Sequence, residues 1–116
     1  MHKELFGVFG DRAAFEARGE DRSFDAVRSG PAVTVGVRDP DLGVPGRTTV
    51  HSSPDGVSAV WGEAFAPGGA DPARWLLARY RRAGTDAFDA LGGSYVAVVD
   101  PAGRPAAAVT DPARSQ

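Results

Sequence analysis

Apolar and polar positions alternate in several short segments of the chain, and this period of two residues predicts β-strands. One strand is predicted over Leu5–Gly10, where glycines interrupt an apolar run, and another over the β-branched segment Ala32–Arg38. Arg47–His51 and Val57–Trp61 lie on either side of a Pro-Asp-Gly turn signal at 54–56. We therefore expect these two segments to form a hairpin.

A helical period is clearest after Asp71. This residue is a good N-cap, and Pro72 follows at the first helical position, where a missing N–H costs least. Gly84 is the expected end of the helix. One face of the segment is apolar and is predicted to pack on the core: Ala73, Leu76, Leu77 and Tyr80.

Residues 84–114 carry the most informative run of elements. We predict a short helix over Thr85–Leu91 with Thr85 as its cap, then a strand over Ser94–Val99 and a turn at 100–103. Pro105–Thr110 is predicted as a further strand. It is expected near the edge of a sheet, because proline cannot donate a ladder hydrogen bond.

The rest of the chain is more polar. Arg12–Arg18 is predicted as a helix, and Glu20–Gly30, Asp39–Gly46 and Ala66–Ala70 as loops or connectors. The total is about six strands and two or three helices, with the helices grouped between sets of strands. This order predicts the α+β class with largely antiparallel sheets.

Composition narrows the range of functions. The 116 residues are expected to form one domain, and their net charge of −2 argues against a nucleic-acid partner. The chain contains no cysteine, which excludes disulfides, thiolate zinc sites and cysteine nucleophiles. With no membrane-length apolar run and no signal peptide, the sequence predicts a soluble cytoplasmic protein.

Four segments, taken in order, carry a family resemblance. They are Phe6–Gly10, the Trp-Gly-Glu segment Val60–Phe65, the helix that Asp71 opens, and the helix–strand–turn–strand run from Gly84 to Pro112. In this order they resemble the N-terminal glutaminase domain of asparagine synthetase B-like proteins, the class II glutamine amidotransferases. The likeness extends over the chain from about Leu5 onward.

The resemblance implies an N-terminal-nucleophile (Ntn) hydrolase fold of two stacked antiparallel sheets with helices outside. In that family a cysteine follows the initiator methionine, attacks the glutamine amide, and uses its own α-amine as the base. Here the second residue is His2, which supplies neither a thiol nor a hydroxyl. Since the family's domain is longer, the sheet is also expected to be incomplete beyond Asp111-Pro112, with an open edge.

The resemblance also implies a substrate-binding set. Because the cysteine is missing, no catalytic residue is assigned, and neither a metal nor a cofactor is expected. The members of the set are Arg38, Trp61, Gly62, Glu63 and Asp71. Trp61 stands where the family has an asparagine, and its ring is expected to fill the pocket. Simpler roles stay open for three of the set: Glu63 as a solvated carboxylate, Asp71 as a helix cap, and Arg38 as a surface residue.

Two functional hypotheses follow. The first is a catalytically degenerate glutaminase-like domain with a structural or docking role beside an ATP-dependent, amide-forming synthetase. The second is a stand-alone amino-acid-binding module in which Glu63 and Asp71 bind the ammonium group. An enzyme of unrelated chemistry ranks lower, because no nucleophile elbow or phosphate-binding loop is present. The expected partner is a synthetase, or a second copy joined at the open sheet edge.

Overall fold

A computed structural model describes residues 4–10, 24–40, 42–44 and 47–110. Within these ranges, seven strands form two antiparallel sheets, with the order β1-β3-β2 in the first and β4-β5-β6-β7 in the second. The elements are β1 (Glu4–Phe9), β2 (Ala26–Ser29), β3 (Val33–Arg38), β4 (Thr49–Ser53), β5 (Gly56–Phe65), α1 (Pro72–Ala83), β6 (Gly92–Pro101) and β7 (Ala107–Thr110). The predicted α+β class with antiparallel sheets is confirmed. The helix predicted over Arg12–Arg18 lies outside the described residues.

The long strands β5 and β6 form the centre of the second sheet. They pair along ten residues, from Gly56 opposite Pro101 to Phe65 opposite Gly92. Because side chains alternate between the faces of a strand, Val57 and Ala59 lie on one face of β5 and Val60 and Ala64 on the other. The two faces of β5 therefore contribute to two different hydrophobic clusters.

One of these clusters joins the two sheets. Val35 and Val37 of the first sheet are buried against Val57 and Ala59 of the second. Burial of a valine side chain stabilises the fold by roughly 1.5–3 kcal/mol, so this cluster holds the sheets together without any covalent link.

The other cluster joins the second sheet to α1, whose boundaries match the prediction. The Asp71 side chain accepts a hydrogen bond from the Arg74 N–H, and Gly84 ends the helix at φ 64° with its N–H bonded to the Tyr80 carbonyl. The predicted apolar face packs against β5 and β6. Leu76 of the helix and Tyr95 of β6 are among the most deeply buried members of this cluster. Helix, second sheet and first sheet thus form three successive layers.

A buried carboxylate makes a further link between the sheets. Asp100 lies near the end of β6 with only 1% of its surface exposed. Its Oδ2 atom accepts hydrogen bonds from the Ala32 and Val33 N–H groups, each at 2.7 Å. The Ala32 amide belongs to the turn that leads from β2 into β3, and the Val33 amide begins β3, so Asp100 links the first sheet to the second.

Two segments that the sequence predicts as loop or turn are partly strand in the described residues. The segment Glu20–Gly30 was expected to be a loop, yet Ala26–Ser29 forms the edge strand β2, paired with β3. Ala26 is the one buried residue of this short strand, so the alternation is too brief to stand out from a polar loop. The turn expected at 100–103 also begins later, because Pro101 still pairs with Gly56.

The short helix expected at Thr85–Leu91 takes a different form. The segment Gly84–Ala90 is a 3₁₀-helix, and no side chain caps it, so the role predicted for Thr85 is wrong. Gly84 is both the residue that ends α1 and the first residue of the 3₁₀-helix. This leaves no extended residue between the two helices at which a threonine could act as a cap.

The position of β7 agrees with the sequence. It lies at the end of the second sheet, and within the described residues it pairs with β6 alone. Its placement confirms the edge strand predicted from Pro105. Self-association at this edge stays a prediction.

Candidate ligand-binding cleft

A cleft of about 400 Å³ opens at one end of the two sheets. It is lined by residues that follow β3, precede β4, and lie on β5 and β6: Asp39, Arg47, Thr48, Trp61, Gly62, Glu63 and Ser94. In the first sheet, Glu4 at the start of β1 is paired with Arg38. The cleft is therefore at the end of the first sheet where β1 begins.

Hydrogen bonds fix the floor of the cleft. The buried Thr48 hydroxyl donates to Asp39 Oδ2 at 2.6 Å and accepts a bond from the Gly62 N–H at 3.0 Å. The Asp39 N–H in turn donates to Asp25 Oδ2 at 2.8 Å. This chain connects the loop after β3 to the middle of β5. Because the side chains of Asp39 and Thr48 are buried and bonded to each other, the floor is expected to be rigid.

The rim carries opposite charges. Arg47 Nη1 lies 3.7 Å from Glu63 Oε1, and the two side chains are 48% and 57% exposed. An exposed ion pair at this distance contributes about 1 kcal/mol or less. The pair can therefore open at little cost, and its two charges are available to a ligand with charges of its own.

Trp61 forms one wall. Its half-buried ring lines the cleft and packs against the cluster between the sheets. Its Nε1 atom is buried without a hydrogen-bond partner among the described residues. Because this indole N–H is buried, it cannot donate a hydrogen bond to a substrate as an asparagine amide facing the cleft would.

Gly62 is held in a conformation that other residues avoid. Its φ angle is +109°, and a Cβ atom at this position would lie 2.8 Å from the Ser94 carbonyl oxygen. The close approach of β5 to β6 therefore requires glycine here. Since its N–H is bonded to Thr48, that donor is not directed at a ligand.

The structure brings together three of the five residues predicted to bind substrate. Trp61, Gly62 and Glu63 line the cleft, whereas Asp71 lines a separate cavity of about 510 Å³ beside the start of α1. Asp71 serves there as the helix cap. Arg38 is not among the residues that line the cleft, although its neighbour Asp39 is.

Four lining residues were not in the predicted set: Asp39, Arg47, Thr48 and Ser94. Asp39 and Arg47 lie at the two ends of a loop, so only the folded loop brings them together. Ser94 reaches the cleft because it pairs with Glu63 across β5 and β6. None of these four placements is predicted from the sequence, because each depends on how separate segments of the chain pack.

Other kinds of site are less well supported. In the described part of the chain, no group of three or more His, Cys, Asp or Glu side chains is placed to hold a metal ion. His51 is half-buried on β4, opposite Ser58. No helix in the described ranges has the length and apolar character needed to cross a bilayer.

Comparisons with known proteins give no family for this chain. No protein-family model matches it, and no significant match is found among curated proteins or among solved structures.

Proposed function

We propose that this chain is a glutamine amidotransferase-like domain that does not hydrolyse glutamine and that binds a free amino acid in the cleft. The observation that carries the proposal is the cleft itself, with its rigid polar floor and its rim of opposite charges. The segment order of the sequence supports the same reading, since the Trp-Gly-Glu segment lies in the cleft wall.

The place of the cleft supports the link to amidotransferases. In the family that the sequence resembles, the nucleophile stands just before the first strand. Here β1 begins opposite Arg38, and the next residue after Arg38, Asp39, lines the cleft. Two antiparallel sheets in contact, with a helix on the outer face of one, are also compatible with an Ntn-type fold.

The described residues of the cleft lack the groups that glutaminase chemistry requires. No cysteine occurs in the chain, and His2 occupies the position after Met1. A developing oxyanion needs donors aimed at it, but the Gly62 N–H is already bonded to Thr48 and the Trp61 indole N–H is buried. We therefore assign the cleft to binding and not to catalysis.

An amino acid fits the charges of the rim. The Arg47 guanidinium is a fork of donors suited to an α-carboxylate, and the Glu63 carboxylate is suited to an α-ammonium. The ligand would replace the weak contact between these two side chains. Other lining residues, Asp39 and Ser94 among them, would then meet the amino acid's side chain.

Calorimetric titration with glutamine, asparagine and glutamate tests the binding proposal. We expect a Kd on the order of 1 mM for the best of them, because the site is small and its charges are exposed. Glu63→Gln should weaken binding about tenfold, since the ligand ammonium loses its charged partner. The exposed Asp89, which is not in the cleft, gives the matched control Asp89→Asn and should leave the Kd unchanged.

Two results would contradict the proposal. If no amino acid binds at millimolar concentration, the cleft is not an amino-acid site. If the purified chain releases ammonia from glutamine faster than the blank, the assignment to binding alone is wrong.

A docking role beside an amide-forming synthetase is the second candidate, favoured by exposed apolar side chains. Phe65 at the end of β5 is 57% exposed and Val44 is 46% exposed. They are the large apolar side chains that the described residues leave most open to solvent, and Phe65 lies two positions after the cleft residue Glu63. Such residues near a site are typical of protein contacts.

Co-elution in size-exclusion chromatography with an amide-forming synthetase encoded beside this chain tests the docking role. The complex is expected with the unaltered chain, and Phe65→Ser should weaken it at least about tenfold if this side chain is buried on docking. Ser53→Ala, at the opposite end of the sheet, is the control. Lack of co-elution with the unaltered chain would rule the role out.

A further inference from the structure

A groove with three arginines lies at the end of the second sheet opposite the cleft. It occupies about 420 Å³ between the last turns of α1 and the two turns that join β4 to β5 and β6 to β7. We call it the arginine groove, and its residues are Asp55, Ala78, Arg81, Arg82, Ala102, Gly103 and Arg104. In the β5–β6 ladder, Gly56 pairs with Pro101 at this end and Glu63 with Ser94 at the cleft end.

Positive charge is concentrated at this groove, although the net charge of the whole chain is negative. The net charge of the protein is −2, yet α1 carries four arginines and no acidic residue. Two of the four, Arg81 and Arg82, line the groove together with Arg104 from the facing turn. One carboxylate, that of Asp55, stands among these three guanidinium groups.

The end of α1 accounts for part of this charge. Cations are favourable near the C-terminal end of a helix, where carbonyl groups lack partners. Arg104 Nε donates to the Arg81 carbonyl at 2.9 Å and so has a structural role. In the described part of the chain, Arg82 makes no side-chain hydrogen bond or ion pair and is exposed. Arg82 lies in the same last turn, and its guanidinium is available to a ligand.

Asp55 shows which ligand chemistry the groove accepts. Its Oδ1 atom lies 3.1 Å from Arg81 Nη1, and both side chains are largely exposed. An exposed pair of this kind contributes about 1 kcal/mol or less, so an outside carboxylate can take the place of Asp55. Arg82 and the terminal nitrogens of Arg104 are then positioned for further carboxylates.

We propose that the arginine groove binds a carboxylate-rich segment of a partner protein. Guanidinium groups pair with carboxylates through two parallel hydrogen bonds, and the small residues Ala78, Ala102 and Gly103 leave space for a main chain between them. Among the described residues that line the groove there is no aromatic side chain on which a base could stack, which favours an acidic peptide over single-stranded nucleic acid. This inference does not depend on the amino-acid cleft.

Fluorescence anisotropy with a labelled peptide of alternating glutamate and glycine tests the groove. The peptide is expected to bind the chain at low salt and to dissociate as salt screens the charges. Arg82→Glu should weaken binding at least about tenfold. Arg79→Glu makes the same charge change on the same helix outside the groove and should have a much smaller effect.

Asp55→Asn gives a test in the opposite direction. Removing the internal carboxylate frees Arg81, so the acidic peptide should bind several-fold more tightly to this variant. The backbone bonds of Asp55, to Ser53 and Ala102, do not involve its carboxylate and are retained. A purely structural role for the arginines predicts no such gain.

The proposal is overturned if Arg82→Glu and Arg79→Glu weaken binding equally, or if Asp55→Asn does not strengthen it. It is also overturned if single-stranded DNA competes better than the glutamate peptide. Circular dichroism of each variant shows whether its fold is intact. Amino-acid binding at the cleft should be unchanged in all of them, which separates a failure here from a failure of the proposed function.

Discussion

Replacement of Asp100 by alanine is expected to lower the free energy of unfolding by about 3 kcal/mol. The substitution leaves the N–H groups of Ala32 and Val33 without their acceptor, at a site where the carboxylate is 1% exposed. Each bond to a charged acceptor contributes about 1.5–3 kcal/mol. The buried Oδ1 atom of Asp100 has no hydrogen-bond partner among the described residues, so its removal offsets a part of the loss. Equilibrium denaturation in urea measures the effect.

Asp55→Ala is the control for this prediction. It removes a carboxylate whose partner is the exposed Arg81, so we expect a loss below about 1 kcal/mol. Gly30 supplies a second check, because a Cβ atom there would collide with the Asp100 carboxylate. The loss of stability caused by Gly30→Ala should therefore be larger in the unaltered chain than in the Asp100→Ala variant. Additive effects would show that the two sites are not coupled.

Gly62→Ala is expected to cost roughly 3 kcal/mol of stability and to abolish amino-acid binding at the proposed cleft. The alanine backbone would have to adopt φ +109°, and its Cβ atom would lie 2.8 Å from the Ser94 carbonyl oxygen. Relief of this contact requires β5 and β6 to separate beside Glu63. Thermal denaturation and calorimetric titration measure the two effects.

Gly103 makes it possible to separate the backbone strain from the collision. Its φ angle is +85°, and nothing lies within 4 Å of the Cβ atom that alanine would add. Gly103→Ala should therefore cost only about 1 kcal/mol, from backbone strain alone. Equal losses in the two variants would mean that the contact with Ser94 is unimportant.

The elements predicted best are those with local signals. The start and end of α1 follow from Asp71, Pro72 and Gly84, and each of these acts within a few residues of its place in the sequence. The β4–β5 hairpin likewise follows from its Pro-Asp-Gly turn. In both cases, the residues that favour the helix or the hairpin lie within that element or directly beside it.

The features that escaped prediction depend on residues far apart in the chain. The sequence predicts that Asp100 is part of a turn. In the structure its carboxylate accepts hydrogen bonds from N–H groups 67 and 68 positions earlier in the chain. β2 becomes a strand because β3 offers it a partner. Such relations are fixed by the packing of two sheets, which no short window of sequence contains.

The candidate site divides in the same way. Trp61, Gly62 and Glu63 were identified because they are consecutive and resemble a known segment. Asp39 and Arg47 join them through the fold of a loop, and Asp71 belongs to a different cavity. The finer assignment to an Ntn fold stays a proposal, supported by the place of the cleft beside the start of β1.

The connection between the paired strands β5 and β6 also has a consequence for the order of folding. The β4–β5 hairpin closes over a tight turn, whereas β6 can join β5 only after the chain from Ala66 to Leu91 has looped back. Closing that loop costs entropy, and α1 is too short to be stable alone in water. We expect the hairpin to form early and α1 to dock together with β6 in one later, cooperative step.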